Sequence, residues 1–261
     1  VVERTAKLVA QWQAVGWAHG VMNTDNMSIL GLTLDYGPFG FMDEYDEGFI
    51  CNHSDHNGRY AFNQQPYIGL WNLSCLAQAL LPLSEKEPLK AGLDTYQSLF
   101  EQEYQTGMRV KFGLLEARVE DDELIRDFFG LLQGSHADYS IVFRELGRFS
   151  TAQHATNDTL REHFLNHDRF TEWAVRYRDR LRSEDSRDHE RSDRMNRANP
   201  KYVLRNYLAQ TAIEKAQNKD FSEVGRLFTL LQDPFSDQPG MEAYALPPPK
   251  WGKQLAVSCS S

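Results

Sequence analysis

Apolar residues at Leu8, Val9, Trp12 and Val15, with Gly16 on the same side, recur at helical spacing near the start of the chain. That spacing predicts a helix over 3–18. The run Ile29-Leu-Gly-Leu-Thr-Leu34 instead suits two short strands joined by a glycine turn. Residues 36–66 are rich in Gly, Pro, Asn and Asp, so a long irregular segment is expected there. A loop of that length in a compact domain is usually functional. From Tyr67 the helical period returns in Ile68, Trp71, Leu73, Cys75, Leu76, Ala79 and Leu80, and Pro82 stops it. Cys75, on this apolar face, is expected to be buried and inert. Further helices are predicted near 85–110, 119–133, 138–147, 158–184, 200–217 and 220–231. Between Asp122 and Phe129 acids precede apolar residues, which suits a helix start. Arg176 to Arg197 is dense in charge, with only Leu181 and Met195 apolar, and reads as a solvated helix extension or loop. Pro234, Pro239 and Pro247-Pro248-Pro249 predict an extended tail. No repeat or clear boundary divides the pattern, so a single, mostly helical lobe over 1–261 is the simplest reading.

Composition narrows the class. The 261 residues are 41% hydrophobic and 12% aromatic, a globular balance with ample material for a core. A formal net charge of −9 argues against nonspecific binding to nucleic acid or to an anionic membrane. No apolar run approaches the roughly 18 residues of a membrane span, and no signal peptide is visible. Three cysteines, Cys51, Cys75 and Cys259, are too few for a secreted disulfide scaffold, so a bacterial cytoplasmic protein is expected. The chain opens with Val1 inside an apolar-periodic helix that has no capping residue, as a C-terminal piece of a longer protein would.

The chemistry is concentrated in His19-Gly-Val-Met-Asn-Thr-Asp-Asn26 and Asp35-Tyr-Gly37. Protein kinases place a His seven residues before a metal-binding Asn, then use a short hairpin to reach an Asp-Phe-Gly whose Asp also holds metal. His19 and Asn26 stand seven apart here, and Asp35 follows the predicted hairpin. One amide and one carboxylate suit Mg²⁺ or Mn²⁺, leaving positions open for phosphate oxygens and water. The kinase base would fall two residues after the His, where Val21 stands. Asp25, beside Asn26, is the nearest replacement. His19 reads as a brace for the loop rather than a reacting group. Without the surrounding pattern, Asn26, Asp35 and Asp25 would pass for turn or cap residues.

These two segments, together with Asn63-Gln-Gln-Pro66, Asn199-Pro-Lys-Tyr-Val-Leu-Arg-Asn206 and the terminal Ser258-Cys-Ser-Ser261, closely resemble the selenoprotein O family, called SelO or YdiU in bacteria. The resemblance covers essentially the whole chain. It implies a mainly α, protein-kinase-like C-terminal lobe with a short β-hairpin at the metal site, an additional C-terminal helical region and an extended tail. It implies transfer of AMP from ATP to Ser, Thr or Tyr hydroxyls of proteins, with pyrophosphate released, and the family includes members that transfer UMP from UTP. The roles implied are Asn26 and Asp35 for Mg²⁺ or Mn²⁺, Asp35 for the ATP phosphates through that metal, and Asp25 for the acceptor hydroxyl. The Gly-rich nucleotide loop and the phosphate-pairing Lys belong to an N-terminal half of the family pattern, and no G-x-G-x-x-G occurs here. These residues alone are therefore expected to be inactive. Protein substrates and ATP are the expected partners, with no nucleic acid or membrane, and a monomer is expected.

Other candidates are weaker. Cys51, His53, Asp55 and His56 match no closed zinc spacing and read as solvated loop residues. His163 and His167 lack the Glu of a zincin motif and read as one exposed helical face. Cys259 sits near the end of the tail, where family members can carry selenocysteine. A redox role is implied for it, with Cys51 as the expected disulfide partner. Asn199 and Pro200 read as cap and first-turn proline of a helix, with Lys201 and Arg205 on one face able to pair with acids of the long loop. Two rivals stay open: γ-phosphoryl transfer by a protein kinase, and an inactive module that senses redox state.

Overall fold

The computed structural model describes residues 1–258 and is mainly helical. Helix α1 (Val2–Val15) ends at Gly16, which adopts φ 67°, a left-handed conformation open to glycine without a Cβ clash. The helix therefore stops short of the predicted residue 18. Trp17–Ala18 forms a two-residue strand, β1, paired with β2 (Gly40–Phe41). The two strands expected within 29–34 do not form. A single antiparallel bridge joins Met27 to Thr33, and Ile29 and Leu30 make the turn between them.

The chain divides into two compact units. One holds residues 1–40 and 47–107 with the tail from Ala256; the other holds 41–46 and 108–255. In the first, α1 packs on α2 (Gln65–Leu80), and Ala6, Leu73 and Tyr96 form a buried cluster. The Tyr96 hydroxyl donates to Pro66 O at 2.9 Å. The helix predicted over 85–110 is two, α3 (Lys86–Asp94) and α4 (Tyr96–Lys111). They break at Thr95, whose hydroxyl takes the Gly92 carbonyl at 2.7 Å. Thr is suited to such a break because its side chain competes with the helical ladder. Cys75 is half-buried, not sealed. It lines a cavity of about 320 Å³ with Met27, Ile29, Asn72 and Leu76.

The second unit contains α5 (Asp121–Ser135), α6 (Tyr139–Leu146), α7 (Asp158–Arg161), α8 (His167–Arg182), α9 (Asp188–Ala198), α10 (Asn206–Gln217) and α11 (Ser222–Leu230). Asp121, Asp122 and Glu123 occupy the first turn of α5, where the helix dipole favours acids. The core is aromatic. Phe128 lies 4.6 Å from Trp173 between ring centres, and Phe112 meets Phe128, Phe143 and Tyr177 edge-on. Buried polar ends find partners: Trp173 Nε1 donates to Leu124 O, and Tyr177 Oη to Phe112 O.

Several expectations fail in this unit. The helix predicted over 158–184 splits at 162–166, with Asn166 capping α8 through the Arg169 N–H, so His163 and His167 share no helix. Arg176–Arg197 is not simply solvated. Arg180 is buried against Asp121 at 2.6 Å and Glu184 at 2.7 Å, and Arg191 is fully buried, donating to Phe149 O and to Asp188. Two lone apolar residues cannot show from sequence that arginine stems fill a core. The helix predicted over 200–217 begins only at Asn206. Asn199 is no N-cap: it follows α9 and is buried, exchanging hydrogen bonds with Lys111 Nζ (2.7 Å) and Lys111 O (3.0 Å). Arg205 does pair with an acid of the long loop, Asp43, and with Asp138 at 2.8 Å, whereas Lys201 pairs with Asp237. The tail carries 3₁₀ turns at Glu242–Ala245 and Gly252–Gln254. Among the described residues, no helix is long and apolar enough to cross a membrane.

Candidate metal and phosphate site

The loop from His19 to Asn26 is fixed from beneath. His19 is fully buried, packed against Trp12 and Trp17 at ring-centre distances of 5.4 and 5.5 Å. Its Nδ1 accepts the Val21 N–H at 3.3 Å, so the proton sits on Nε2, which donates to Leu34 O at 2.9 Å. Burial pulls the His19 pKa below its ordinary value, consistent with this neutral form. The imidazole thus spans the 15 residues separating the loop from the Asp35 segment, the bracing role expected of it.

Gly20 adopts φ 81°, and a Cβ there would lie 2.7 Å from Cys51 Sγ and 2.8 Å from Pro38 O. Glycine is required by both conformation and space. Cys51 is consequently buried at 6% exposure, a correction to its reading as a solvated loop residue, whereas His53 and His56 are exposed. Among the described residues, no group of three or more His, Cys, Asp or Glu side chains could hold a metal. Cys259 lies outside the described residues.

Asp25 and Asn26 lie on the 3₁₀ turn Thr24–Asn26, closed by the Asn26 N–H on Asn23 O at 3.0 Å. The Asp25 carboxylate is exposed. Asn26 Nδ2 donates to Val21 O at 3.0 Å and to Asp35 Oδ2 at 2.6 Å. Its amide nitrogen is thereby occupied, and Oδ1 is left as the oxygen able to meet a cation. Asp35 stands at φ 56°, a left-handed conformation that Asp tolerates better than most residues, with the Gly37 N–H closing a tight turn on its carbonyl at 2.8 Å. The predicted pair thus comes together side by side as two hard oxygen donors, a set that fits Mg²⁺ or Mn²⁺ completed by phosphate and water.

Four further side chains support this loop and were not singled out individually from sequence. Gln65 bridges it, accepting the His19 N–H at 2.9 Å and donating to Trp17 O at 2.9 Å. Asn72 donates to Met22 O at 3.0 Å and Asn52 to Gly20 O at 3.1 Å. Tyr60 Oη donates to Asn23 Oδ1 at 2.5 Å. The Asn63-Gln-Gln-Pro66 motif was the available signal for Gln65. Nothing local marks the other three, which act across 32 to 50 residues.

A sequence profile described as "Protein adenylyltransferase SelO" matches residues 1–232. The chain is 58% identical over 261 residues to a protein of Myxococcus xanthus and 57% identical over 267 residues to one of Thioalkalivibrio sulfidiphilus, each named protein nucleotidyltransferase YdiU. A Herminiimonas arsenicoxydans protein of the same name is 52% identical over 262 residues. All of this chain is covered in each case, against 54%, 54% and 52% of the relatives, so it spans about half the length of the curated relatives it matches. With the profile matching most of the chain and the relatives similar throughout it, the chain belongs to the SelO protein adenylyltransferase family.

Proposed function

We propose that these residues form the metal-holding, kinase-like lobe of a protein adenylyltransferase that, at full family length, transfers AMP from ATP to protein hydroxyls. The observation that carries this reading is the Asn26–Asp35 pair, amide against carboxylate at 2.6 Å, at the mouth of a loop whose kinase base position is Val21. Asn26 Oδ1 and the Asp35 carboxylate would hold Mg²⁺ or Mn²⁺, whose charge, when bound, stabilises the phosphate oxygens. Asp25 accepts the hydrogen bond of the acceptor hydroxyl and orients it. A carboxylate beside a cation is a weak base but a good acceptor, which suits positioning better than full deprotonation. The new bond joins the acceptor oxygen to the α-phosphorus, the bond from that phosphorus to the bridging oxygen breaks, pyrophosphate departs, and the hydroxyl proton is released to solvent as the acceptor oxygen bonds. His19, buried and neutral, supplies no proton and holds Leu34, next to Asp35, against the loop.

Intact-mass analysis of full-length protein with ATP and Mg²⁺ or Mn²⁺ tests the reaction. One added AMP on an acceptor protein, or on the enzyme itself, is expected, with UMP as the corresponding product from UTP. Addition of one phosphate would refute nucleotidyl transfer and favour a kinase.

A further inference from the structure

Residues 52–60 are tied to the catalytic loop at both ends. Asn52 holds Gly20 O at one end, and Tyr60 Oη holds Asn23 Oδ1 at the other. The Tyr60 end is itself rigidly built. Asp55 accepts the Arg59 N–H at 2.9 Å on one carboxylate oxygen and the Tyr60 N–H at 2.7 Å on the other. The Arg59 guanidinium lies 4.7 Å from the Trp71 ring centre, pinning the same corner to α2. Asn23 in turn offers its backbone carbonyl to the Asn26 N–H at 3.0 Å, closing the turn that carries Asp25 and Asn26. Two hydrogen bonds therefore separate the Tyr60 hydroxyl from the proposed metal ligand.

We propose that Tyr60 is a positioning residue for nucleotidyl transfer. Its hydroxyl holds Asn23, and through it the Thr24–Asn26 turn, in the geometry that aims Asp25 and Asn26. This rests on the functional reading above. Tyr60 need not touch nucleotide or acceptor. It acts through Asn23, so its loss lowers the rate of the bound complex more than it weakens ATP binding. The bond is exposed, and one hydrogen bond corresponds to about a threefold to tenfold change in rate.

The test uses full-length protein and the variants Tyr60→Phe, Asn23→Ala and the pair together. Tyr60→Phe keeps the ring and removes only the hydroxyl. Each single variant is expected to lower kcat about threefold to tenfold with KM for ATP little changed. The double variant should be no worse than the poorer single one, because one interaction is lost in all three. Amide exchange at Asn26 should accelerate in Tyr60→Phe at an unchanged melting temperature. Unchanged exchange overturns the coupling whether or not the protein transfers nucleotide. Faster exchange with wild-type kcat, or additive losses in the double variant, overturns the positioning role while leaving the functional reading intact. A wild-type protein that transfers no nucleotide overturns that reading and the positioning role of Tyr60 with it.

Discussion

Lys111 offers the sharpest quantitative test of the fold. Its ammonium is buried at 3% exposure, donates to Asn199 Oδ1 at 2.7 Å and lies 4.1 Å from the Phe143 ring centre. Among the described residues no carboxylate is paired with it, and burial pulls its pKa from 10.5 down to about 7. The folded pKa lies below the unfolded one, so between those values the unfolded chain binds more protons and stability rises with pH. At about 1.4 kcal/mol per decade, the full penalty below pH 7 is about 5 kcal/mol. That is the upper end, because the Asn199 carbonyl and the Phe143 face both favour the ammonium. Lys111→Met removes the titration and keeps an unbranched apolar side chain, at a cost of about 1–3 kcal/mol for the acceptor left on Asn199. Urea unfolding of wild type and variant from pH 6.5 to 9.5 is the assay. The wild type is expected to gain on the variant by about 3 kcal/mol across that range. Parallel pH profiles would refute a buried lysine that is neutralised near pH 7.

Four other outcomes are expected. Asp35→Ala in full-length protein should abolish nucleotide transfer at an unchanged melting temperature, and Asn26→Ala should act in the same direction; normal turnover in an isotope-labelled ATP assay would refute the metal role proposed for both. Arg205→Met should destabilise by about 3–5 kcal/mol in chemical denaturation, since it strands Asp43 and Asp138, with the deficit shrinking as pH falls and Asp43, whose pKa burial already raises, protonates. Gly20→Ala should cost about 1–3 kcal/mol in thermal melting, because a methyl group at φ 81° meets Cys51 Sγ and Pro38 O. Under oxidation, Cys51 is expected to pair with Cys259, which lies outside the described residues; a Cys75–Cys259 peptide, or thiols throughout on non-reducing mapping, would refute the pairing.

What could be read along the chain was what depends on neighbours in the chain. The seven-residue spacing of His19 and Asn26, and the short excursion to Asp35, marked the two as a candidate pair in the sequence itself, because a tight loop and a turn leave few ways to arrange such close residues. The apolar periods of α1, α2 and α5 were legible for the same reason. The run around Arg205 suggested pairing of Lys201 and Arg205 with acids of the long loop, and Arg205 alone does so, through Asp43. Element ends were less legible. Thr95, Asn166 and Asn199 each broke a predicted helix or moved its start, because their side chains take backbone or lysine partners that periodicity does not record. Only the tertiary structure decided which polar residues would serve as internal braces. Gln65, Asn72, Asn52 and Tyr60 reach the loop around His19–Asn26 across 32 to 50 residues, and Lys111 meets Asn199 across 88. A polar side chain carries no local mark of whether it will face water or a buried carbonyl. That choice is made when packing removes the water and leaves each buried donor and acceptor in need of a partner.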